Sequence, residues 1–317
     1  MKSKKTWQQS STYQILFGNS IIPAYAPFYY RIYLLWRKFL RSIEGSLLKD
    51  RSRLRPKQDI YDESNRQLFI GERKTPLVNK TSTNLKIDLE RDDIKSIVFE
   101  LRELQNILIS KGMKFTSAAG SFKSKDYVPD KELNKIWENA WILAHMRPNP
   151  EEIVLDLGGA STIFSYYLAS KGCRVYCIDN DWGCHGIVYN ARYVAKKMKW
   201  PIDIYDRDLA KRFPFKDGFF NKVFCVCVLE HLRSPVRQAV MREINRVLKS
   251  TGSAGFTFDY DVGRDDSWQD KGIRYMLKET FLNDVLKPSG LEVIGNQNFL
   301  DDCPSDFFLG TLFLKKP

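Results

Sequence analysis

The spacing of apolar residues changes at Pro150. Between Asp92 and Met146, apolar positions recur every three or four residues, which predicts one amphipathic helix from Asp92 to Gly112 and a second from Asp130 to Met146. Beyond Pro150, short continuous apolar runs alternate with stretches of helical spacing. That alternation is typical of strand–helix–strand units, whose right-handed crossovers build a parallel sheet.

Seven strands and four helices are predicted after Pro150. The strands lie near residues 152–157, 174–178, 202–205, 222–228, 253–258, 291–299 and 307–315, and the helices near 161–170, 184–199, 234–249 and 274–286. Only residues 301–306 separate the last two strands, and a parallel crossover needs about a dozen residues or more. The predicted fold class is therefore α/β, a Rossmann-like seven-stranded sheet that is mostly parallel with an antiparallel last strand, preceded by a mainly helical N-terminal extension.

A basic, aromatic segment precedes these elements. The 317 residues have a formal net charge of +12, and residues 1–57 carry twelve Lys and Arg residues against Glu44 and Asp50. From Phe28 onward apolar residues recur at helical spacing, so we predict a basic amphipathic helix within residues 28–57. The helix has two interpretations: peripheral contact with an anionic membrane surface, or packing on the rest of the chain as a lid or dimer contact.

Composition divides the chain into three parts. Residues 1–57 form the basic segment, residues 58–129 a polar linker with one accessory helix, and residues 130–317 the α/β domain. The N-terminus lacks the continuous apolar stretch of a signal peptide, and Asn19, Pro23 and other residues interrupt the apolar region that follows. We therefore predict a cytoplasmic protein, with membrane association left open; the sequence does not fix an oligomeric state.

The cysteines do not indicate a metal site. The six cysteines lie mostly within apolar runs, with no CxxC pair and no histidine cluster at metal-ligand spacing. We interpret them as reduced core thiols and predict that no metal is bound.

A glycine turn follows the first strand after Pro150. Val154-Leu155-Asp156-Leu157 leads into Gly158 and Gly159, which carry no side chain and let the backbone approach a ligand closely. The next helix directs its amide-rich N-terminus at the same place. Asp179 ends the following apolar run, where an acid can accept hydrogen bonds from a ribose diol. These residues predict a nucleotide-type ligand site, without separating a nicotinamide from other adenosine ligands.

Motifs further along the chain narrow the choice of adenosine ligand. Phe213-Pro214-Phe215 precedes an apolar run that ends in Leu229-Glu230-His231, and Asp208 lies just ahead of both. In this order the motifs resemble the class I methyltransferases that use S-adenosylmethionine, most closely the type 11 group, from about Ile136 to the C-terminus. The chain departs from the family pattern at Ala160 and Thr162, where glycine is usual, and at Asn221, where aspartate is usual.

The resemblance implies a cofactor and a set of residues that bind it. The cofactor is S-adenosylmethionine, held by residues that line the glycine turn, the ribose and the adenine. By position, Asp156 lies near the methionine end, Gly158 and Gly159 line the cofactor, Asp179 holds the ribose, and Asp208 with Leu209 lies at the adenine.

Methyl transfer from a sulfonium mainly requires a well-placed acceptor, and an alcohol acceptor benefits from a general base. Side chains at the carboxyl ends of the strands are in reach of the acceptor, which makes His231, Asp259 and Asp261 the catalytic candidates. Each has a structural alternative: His231 as a group that shapes the strand end, and the two aspartates as parts of a solvated turn.

The sequence therefore predicts a methyltransferase acting on an oxygen, or alternatively a nitrogen, of a small-molecule, glycan or lipid-linked acceptor. An RNA acceptor is a second hypothesis, because basic and aromatic residues alternate in the N-terminal segment. The motif that DNA amino-methyltransferases carry after the fourth strand is absent. A catalytically inactive binding module and a nicotinamide oxidoreductase are the remaining alternatives.

Overall fold

The structure is a computed structural model that describes residues 77–80, 83–116, 122–123, 133–180, 186–259, 281–297, 299 and 309–317. The predicted basic helix within residues 28–57 lies outside these ranges, as does Asp261.

The helices begin before the sheet and then alternate with its strands. In chain order they are Leu85–Asp88 (α1), Asp92–Ser110 (α2), Leu133–Met146 (α3), Ile163–Ser170 (α4), Ile187–Met198 (α5) and Ser234–Val247 (α6). A single 3₁₀ turn covers Leu229–His231, and a π-helical segment, Phe281–Leu286, continues into the short helix Lys287–Ser289. The predicted helices near 92–112, 161–170 and 234–249 are thus confirmed, and the described parts of the others agree with the prediction.

Nine strands are assigned within the described residues. They are Phe115–Thr116 (β1), Phe122–Lys123 (β2), Ile153–Leu157 (β3), Arg174–Asp179 (β4), Ile202–Asp206 (β5), Phe220–Val226 (β6), Leu248–Asp259 (β7), Glu292–Val293 (β8) and Leu309–Lys315 (β9). β1 and β2 form a small antiparallel pair, and the other seven form one sheet in the order β5-β4-β3-β6-β7-β9-β8.

The sheet has the predicted topology. Its first five strands along the chain, β3 to β7, run parallel to one another, whereas β9 is antiparallel to both β7 and β8. Alternate residues of β3 point to opposite faces: Val154 packs in the core with α2, α3 and α4, and Leu155 packs in the core with α6. Both faces are therefore covered, as the continuous apolar runs predicted.

Two strand ends differ from the prediction. β6 ends at Val226 rather than Val228, because Cys227 has a left-handed backbone with φ of 54° and cannot continue the strand. The strand predicted over 291–299 pairs only at Glu292–Val293, and Gly295, with φ of 90°, turns the chain soon after it.

Asn221, one of the departures from the family pattern, lies near the amino end of β6. Its Oδ1 accepts hydrogen bonds from the Ile153 amide (3.0 Å) and from Lys249 Nζ (2.9 Å). An amide oxygen serves this structural purpose as well as a carboxylate would, and the position is at the opposite end of the strand from the glycine turn.

Residues 77–80 lie along the outer edge of β9. The backbone of Lys80 exchanges two hydrogen bonds with that of Thr311, and Asn79 Oδ1 accepts from the Phe313 amide at 2.8 Å. Lys80 Nζ is buried and forms an ion pair with Asp88 at 2.7 Å, which also accepts a hydrogen bond from Trp137 Nε1. These contacts connect the segment to α1, α3 and β9.

Among the helices that the structure describes, none combines the length and apolarity needed to cross a membrane.

Candidate active site

The turn between β3 and α4 requires glycine at position 158. Gly158 has φ of 77°, its amide donates to the Ile178 carbonyl at 2.8 Å, and a Cβ there would lie 2.6 Å from Val228 Cγ2. The turn therefore passes close to the residues that follow β6. It brings the carboxyl ends of β3, β4 and β6 to one place.

Asp156 is turned inward beneath this turn. Its side chain is 1% exposed, and Oδ2 accepts a hydrogen bond from Ser165 Oγ at 2.6 Å. Oδ1 is buried without a hydrogen-bond partner among the described residues. Burial raises the pKa of Asp156 to about 7, with the Ser165 hydrogen bond acting in the opposite direction. An unpaired buried carboxylate oxygen is costly unless a donor arrives, so this atom is suited to a cationic or N–H group of a ligand.

Asp179 ties the glycine turn to the end of β4. Its Oδ2 accepts a hydrogen bond from the Ala160 amide at 3.0 Å, and the carboxylate is buried. Ala160, where the family has glycine, is itself buried and contributes its amide without obstructing the turn. Thr162, the other departure, is the N-cap of α4: its Oγ1 accepts from the Ser165 amide and donates to the Gly159 carbonyl.

Asp208 lies in the loop after β5, the strand next to β4. Its Oδ1 accepts a hydrogen bond from the Ala210 amide at 2.9 Å, which holds the carboxylate in a local turn at the surface. Leu209 beside it is buried in the core on the α6 side of the sheet. Asp206, at the end of β5, pairs in register with Asp179, so the predicted ribose and adenine residues lie at adjacent strand ends.

Two of the three predicted catalytic residues come together after β6 and β7. His231 ends the 3₁₀ turn Leu229–His231 and is exposed, whereas Asp259 ends β7 and is 7% exposed. Each has a ligand atom within 4.8 Å of Cys227 Sγ, and the charge of His231 acts to lower the pKa of Asp259. The aspartate is thus part of a buried site and not of a solvated turn.

Sequence reasoning missed two further acids at this place. Glu230 is wholly buried, and its Oε1 accepts a hydrogen bond from the Asp259 amide at 3.1 Å. Glu138, on α3, is also wholly buried and accepts a hydrogen bond from Thr257 Oγ1 at 3.2 Å. We refer to Glu138, Glu230 and Asp259 as the carboxylate cluster.

A lysine and a cysteine border the carboxylate cluster. Lys135 Nζ lies 2.7 Å from Glu138 Oε2 and 2.8 Å from Cys227 Sγ. Burial acts to lower the pKa of Lys135, but the charge of Glu138 and the hydrogen bonds to Glu138 and Cys227 outweigh it and raise the pKa, so the ammonium stays charged. Burial, with the nearby Glu138, raises the pKa of the Cys227 thiol well above its usual value. The thiol is therefore protonated at neutral pH.

The remaining two acids are poised near neutrality. Burial raises the pKa of Asp259 to about 7, and the charges of Glu230 and Glu138 add to the effect. Burial likewise raises the pKa of Glu230 to about 7. Val228, which lies close to Gly158, precedes Glu230 by two residues, so the turn that carries Glu230 starts next to the glycine turn.

One signal for the missed acids exists in the sequence. From Ile136 to Met146, α3 is buried at every position, and Glu138 is the acid in a stretch whose only other polar residues are Asn139 and His145. No comparable signal marks Glu230, whose burial depends on the 3₁₀ turn that follows the left-handed Cys227.

The residues at the glycine turn fit S-adenosylmethionine. The unpaired Asp156 Oδ1 suits the ammonium of its methionine part, glycines leave the backbone open, and Asp179 and Asp208 lie at adjacent strand ends for ribose and adenine. When bound, this cofactor supplies an electrophilic methyl group.

Comparison with known proteins supports the assignment. Residues 155–256 match the family model of the type 11 methyltransferase domain. No curated protein matches the chain.

The solved structures include proteins with a similar fold. A S-adenosylmethionine-dependent methyltransferase from Methanosarcina mazei is 16% identical, with 55% of this chain and 96% of that chain covered and a TM-score of 0.44. A TehB-like methyltransferase from Corynebacterium glutamicum is 17% identical over 70% and 100% of the two chains, with a TM-score of 0.43. A 1,6-didemethyltoxoflavin N1-methyltransferase from Burkholderia thailandensis, with bound S-adenosylhomocysteine, is 15% identical over 56% and 76%, with a TM-score of 0.43.

The family match falls on the strands and turns that form the glycine turn and the strand-end acids, and the sheet has the predicted order with its antiparallel last strand. Residues 155–256 therefore form a methyltransferase domain of the type 11 group, and the enzyme is S-adenosylmethionine-dependent.

Proposed function

We propose that this methyltransferase acts on a hydroxyl or amine of a small-molecule, glycan or lipid-linked acceptor that binds over the carboxyl ends of β6 and β7. The observation that carries the proposal is Asp259, a buried carboxylate at the end of β7, the strand next to β6. Its pKa, raised to about 7, leaves a substantial fraction ionised at neutral pH and makes it a stronger base than an exposed aspartate. His231 and Glu230 adjoin it as supporting groups.

The reaction places simple demands on these residues. Methyl transfer is an in-line displacement, so the acceptor atom has to be held behind the methyl carbon with water excluded. The described side chains near Asp259 are largely buried, which keeps this region dry. Asp259 takes the proton that the nucleophile loses, and Lys135 keeps Glu138 neutralised so that the added negative charge stays limited.

Calorimetric titration with S-adenosylmethionine, S-adenosylhomocysteine and NADH tests the cofactor part of the proposal. Micromolar binding of the first two without NADH is expected. Acceptor turnover is then followed as S-adenosylhomocysteine release, and Asp259→Asn should lower it by about 10²-fold or more while the affinity for S-adenosylmethionine stays the same. Full turnover by this variant would remove Asp259 from the proposed role.

A further inference from the structure

The carboxylate cluster holds more negative charge than its surroundings balance. Glu138 is paired with Lys135, but neither Glu230 nor Asp259 forms an ion pair with any other described residue. Two acids that share one buried place raise each other's pKa because both cannot be ionised cheaply together. Lys135 pairs with Glu138, so in the described part of the chain Glu230 and Asp259 have no ion-pair partner of their own.

One oxygen in this place has no hydrogen-bond donor. Glu230 is 0% exposed, and its Oε2 is buried without a hydrogen-bond partner in the described part of the chain. The other oxygen, Oε1, accepts from the Asp259 amide, which fixes the direction of the side chain. A buried orphan acceptor of this kind is destabilising by itself and indicates a ligand that donates.

The cluster is compact enough for one cationic nitrogen to contact several of its members. An oxygen of Glu138, an oxygen of Asp259 and Cys227 Sγ all lie within 4.8 Å of one another. Lys135 Nζ already contacts the Glu138 and Cys227 side of this group. An ammonium is therefore compatible with the site, and the Asp259 and Glu230 side is where a second one is missing.

Two residues that border the cluster have exposed surface. Cys227 is partly exposed and His231 is exposed, while Glu138 and Glu230 are wholly buried behind them. An entering group would meet His231 first and the two unpaired acids next. Its position would then be beside Val228 and the glycine turn, where the methyl donor binds.

We propose that the acceptor is an amine, an inference that rests on the proposed function. The amine enters as its ammonium ion, binds to Glu230 and Asp259, and is methylated on nitrogen. This inference selects nitrogen over the oxygen acceptor that the sequence favoured. A divalent metal is the competing occupant, since Cys227 could act as a ligand either with Glu230 and His231 or with Glu138 and Asp259. In both arrangements the metal would take the Cys227 sulfur that Lys135 Nζ now contacts at 2.8 Å.

The chemistry balances with the groups present. The ammonium transfers one proton to the carboxylate of Asp259, which leaves a neutral amine with a free lone pair. That lone pair forms the new N–C bond as the C–S bond breaks, and the sulfur keeps the electron pair of the broken bond. Burial favours the proton transfer because it lowers the pKa of an amine and raises that of a carboxylate, bringing the two values closer.

The first test measures binding of a bare cation. Thermal unfolding of the full chain is followed with increasing butylammonium chloride, against sodium chloride at equal ionic strength and against butanol. The proposal requires saturable stabilisation by butylammonium only. Glu230→Gln should weaken that binding by about tenfold or more, because it removes a charge-assisted hydrogen bond and keeps the shape of the side chain.

Glu292→Gln is the matched control. Glu292 is an exposed acid on β8, paired with Lys315, which itself pairs with Ser253 at the opposite end of β7 from Asp259. The response to butylammonium should be unchanged in this variant. Equal stabilisation by butylammonium and sodium, or stabilisation by zinc or magnesium chloride with none by butylammonium, would overturn the proposal.

A second test follows the methyl group. S-adenosylhomocysteine release is compared for matched amines and alcohols, such as phenethylamine and phenethyl alcohol. Turnover of an amine without its alcohol supports the inference, and turnover of an alcohol without its amine contradicts it. Calorimetric titration with S-adenosylmethionine separates failure of this inference from failure of the proposed function. If S-adenosylmethionine binds but butylammonium does not, only this inference fails. If S-adenosylmethionine does not bind, the proposed function fails.

Discussion

Asp156 fills the space that a side chain at position 159 would need. A Cβ on Gly159 would lie 1.8 Å from Asp156 Oδ2, and its three nearest neighbours all belong to this carboxylate. Gly159 is not among the residues with positive φ, so its backbone does not itself exclude alanine. The glycine is required here because an acid was placed beneath the turn.

This relation predicts a rescue. Gly159→Ala should destabilise the protein by about 1–3 kcal/mol, and the same change combined with Asp156→Ala should cost less than the sum of the two single changes, by about 1 kcal/mol or more. Denaturant unfolding of the four proteins measures the coupling. Gly158→Ala is the control, because its positive φ and its contact with Val228 should leave it without rescue by Asp156→Ala. Additive costs at position 159 would contradict the argument.

Asp179 serves both the turn and the ligand. Asp179→Ala should abolish binding of S-adenosylmethionine with the fold retained, at a stability cost of roughly 1 kcal/mol for the lost hydrogen bond from the Ala160 amide. Asp179→Asn keeps an oxygen for that amide and should bind the cofactor more weakly than the native protein. Calorimetry measures both. Asp203→Asn, an exposed acid on the neighbouring strand, should bind normally. Unchanged affinity in Asp179→Ala would remove this residue from the ribose site.

Helices and strands could be predicted from the sequence where the apolar residues follow a single periodic pattern. The apolar runs of β3 and β4 and the helical spacing of α2 and α6 each have a single period, and all four lie where the sequence placed them. The end of β6 did not follow from its sequence, because Cys227 and Val228 continue the apolar run although Cys227 has a left-handed backbone. At the site, strand-end acids such as Asp156 and Asp179 could be predicted, whereas Glu138 and Glu230 required knowledge of which loops bury them.

A buried ion pair joins the segment at residues 77–80 to α1. Lys80→Met would leave the Asp88 carboxylate buried without its cation, so we expect a loss of roughly 2–4 kcal/mol in the free energy of unfolding. Lys95→Met, which removes an exposed partner of Glu90, should leave stability nearly unchanged. Urea unfolding of the two variants compares them. Similar stabilities would show that the buried pair contributes no more than the exposed one.

The whole molecule should become less stable as the pH rises towards neutrality. Asp156, Glu230 and Asp259 have pKa values of about 7 in the folded protein, above the usual values of their unfolded forms. The folded chain therefore holds more protons than the unfolded chain, and stability is lost as pH rises from about 4 to about 7. Burial lowers the pKa of His145 to about 4, which opposes this trend only below about pH 6.5.

Glu230→Gln provides the measurement. Above about pH 6.5 this variant should lose less stability with rising pH than the native protein, and at pH 8 the ligand-free variant should be the more stable of the two. Urea unfolding at several pH values between 6 and 8 tests this. Parallel pH profiles for the two proteins would show that Glu230 is not held with a raised pKa. The Glu230→Gln variant would then gain stability and lose amine binding. This trade-off is expected of a binding site that is destabilising in the absence of its ligand.

The segment at residues 77–80 has a consequence for how this enzyme is handled and for how it behaves when damaged. β8 pairs only with the last two residues of β9. Lys80 and Asn79 occupy hydrogen-bonding positions along the rest of the same edge of β9. A chain shortened to residues 130–317 would expose β9, whose residues from Leu309 to Leu314 are all buried, as a bare apolar edge strand. Such edges pair with one another, so proteolytic loss of this short segment should increase the tendency of the enzyme to self-associate.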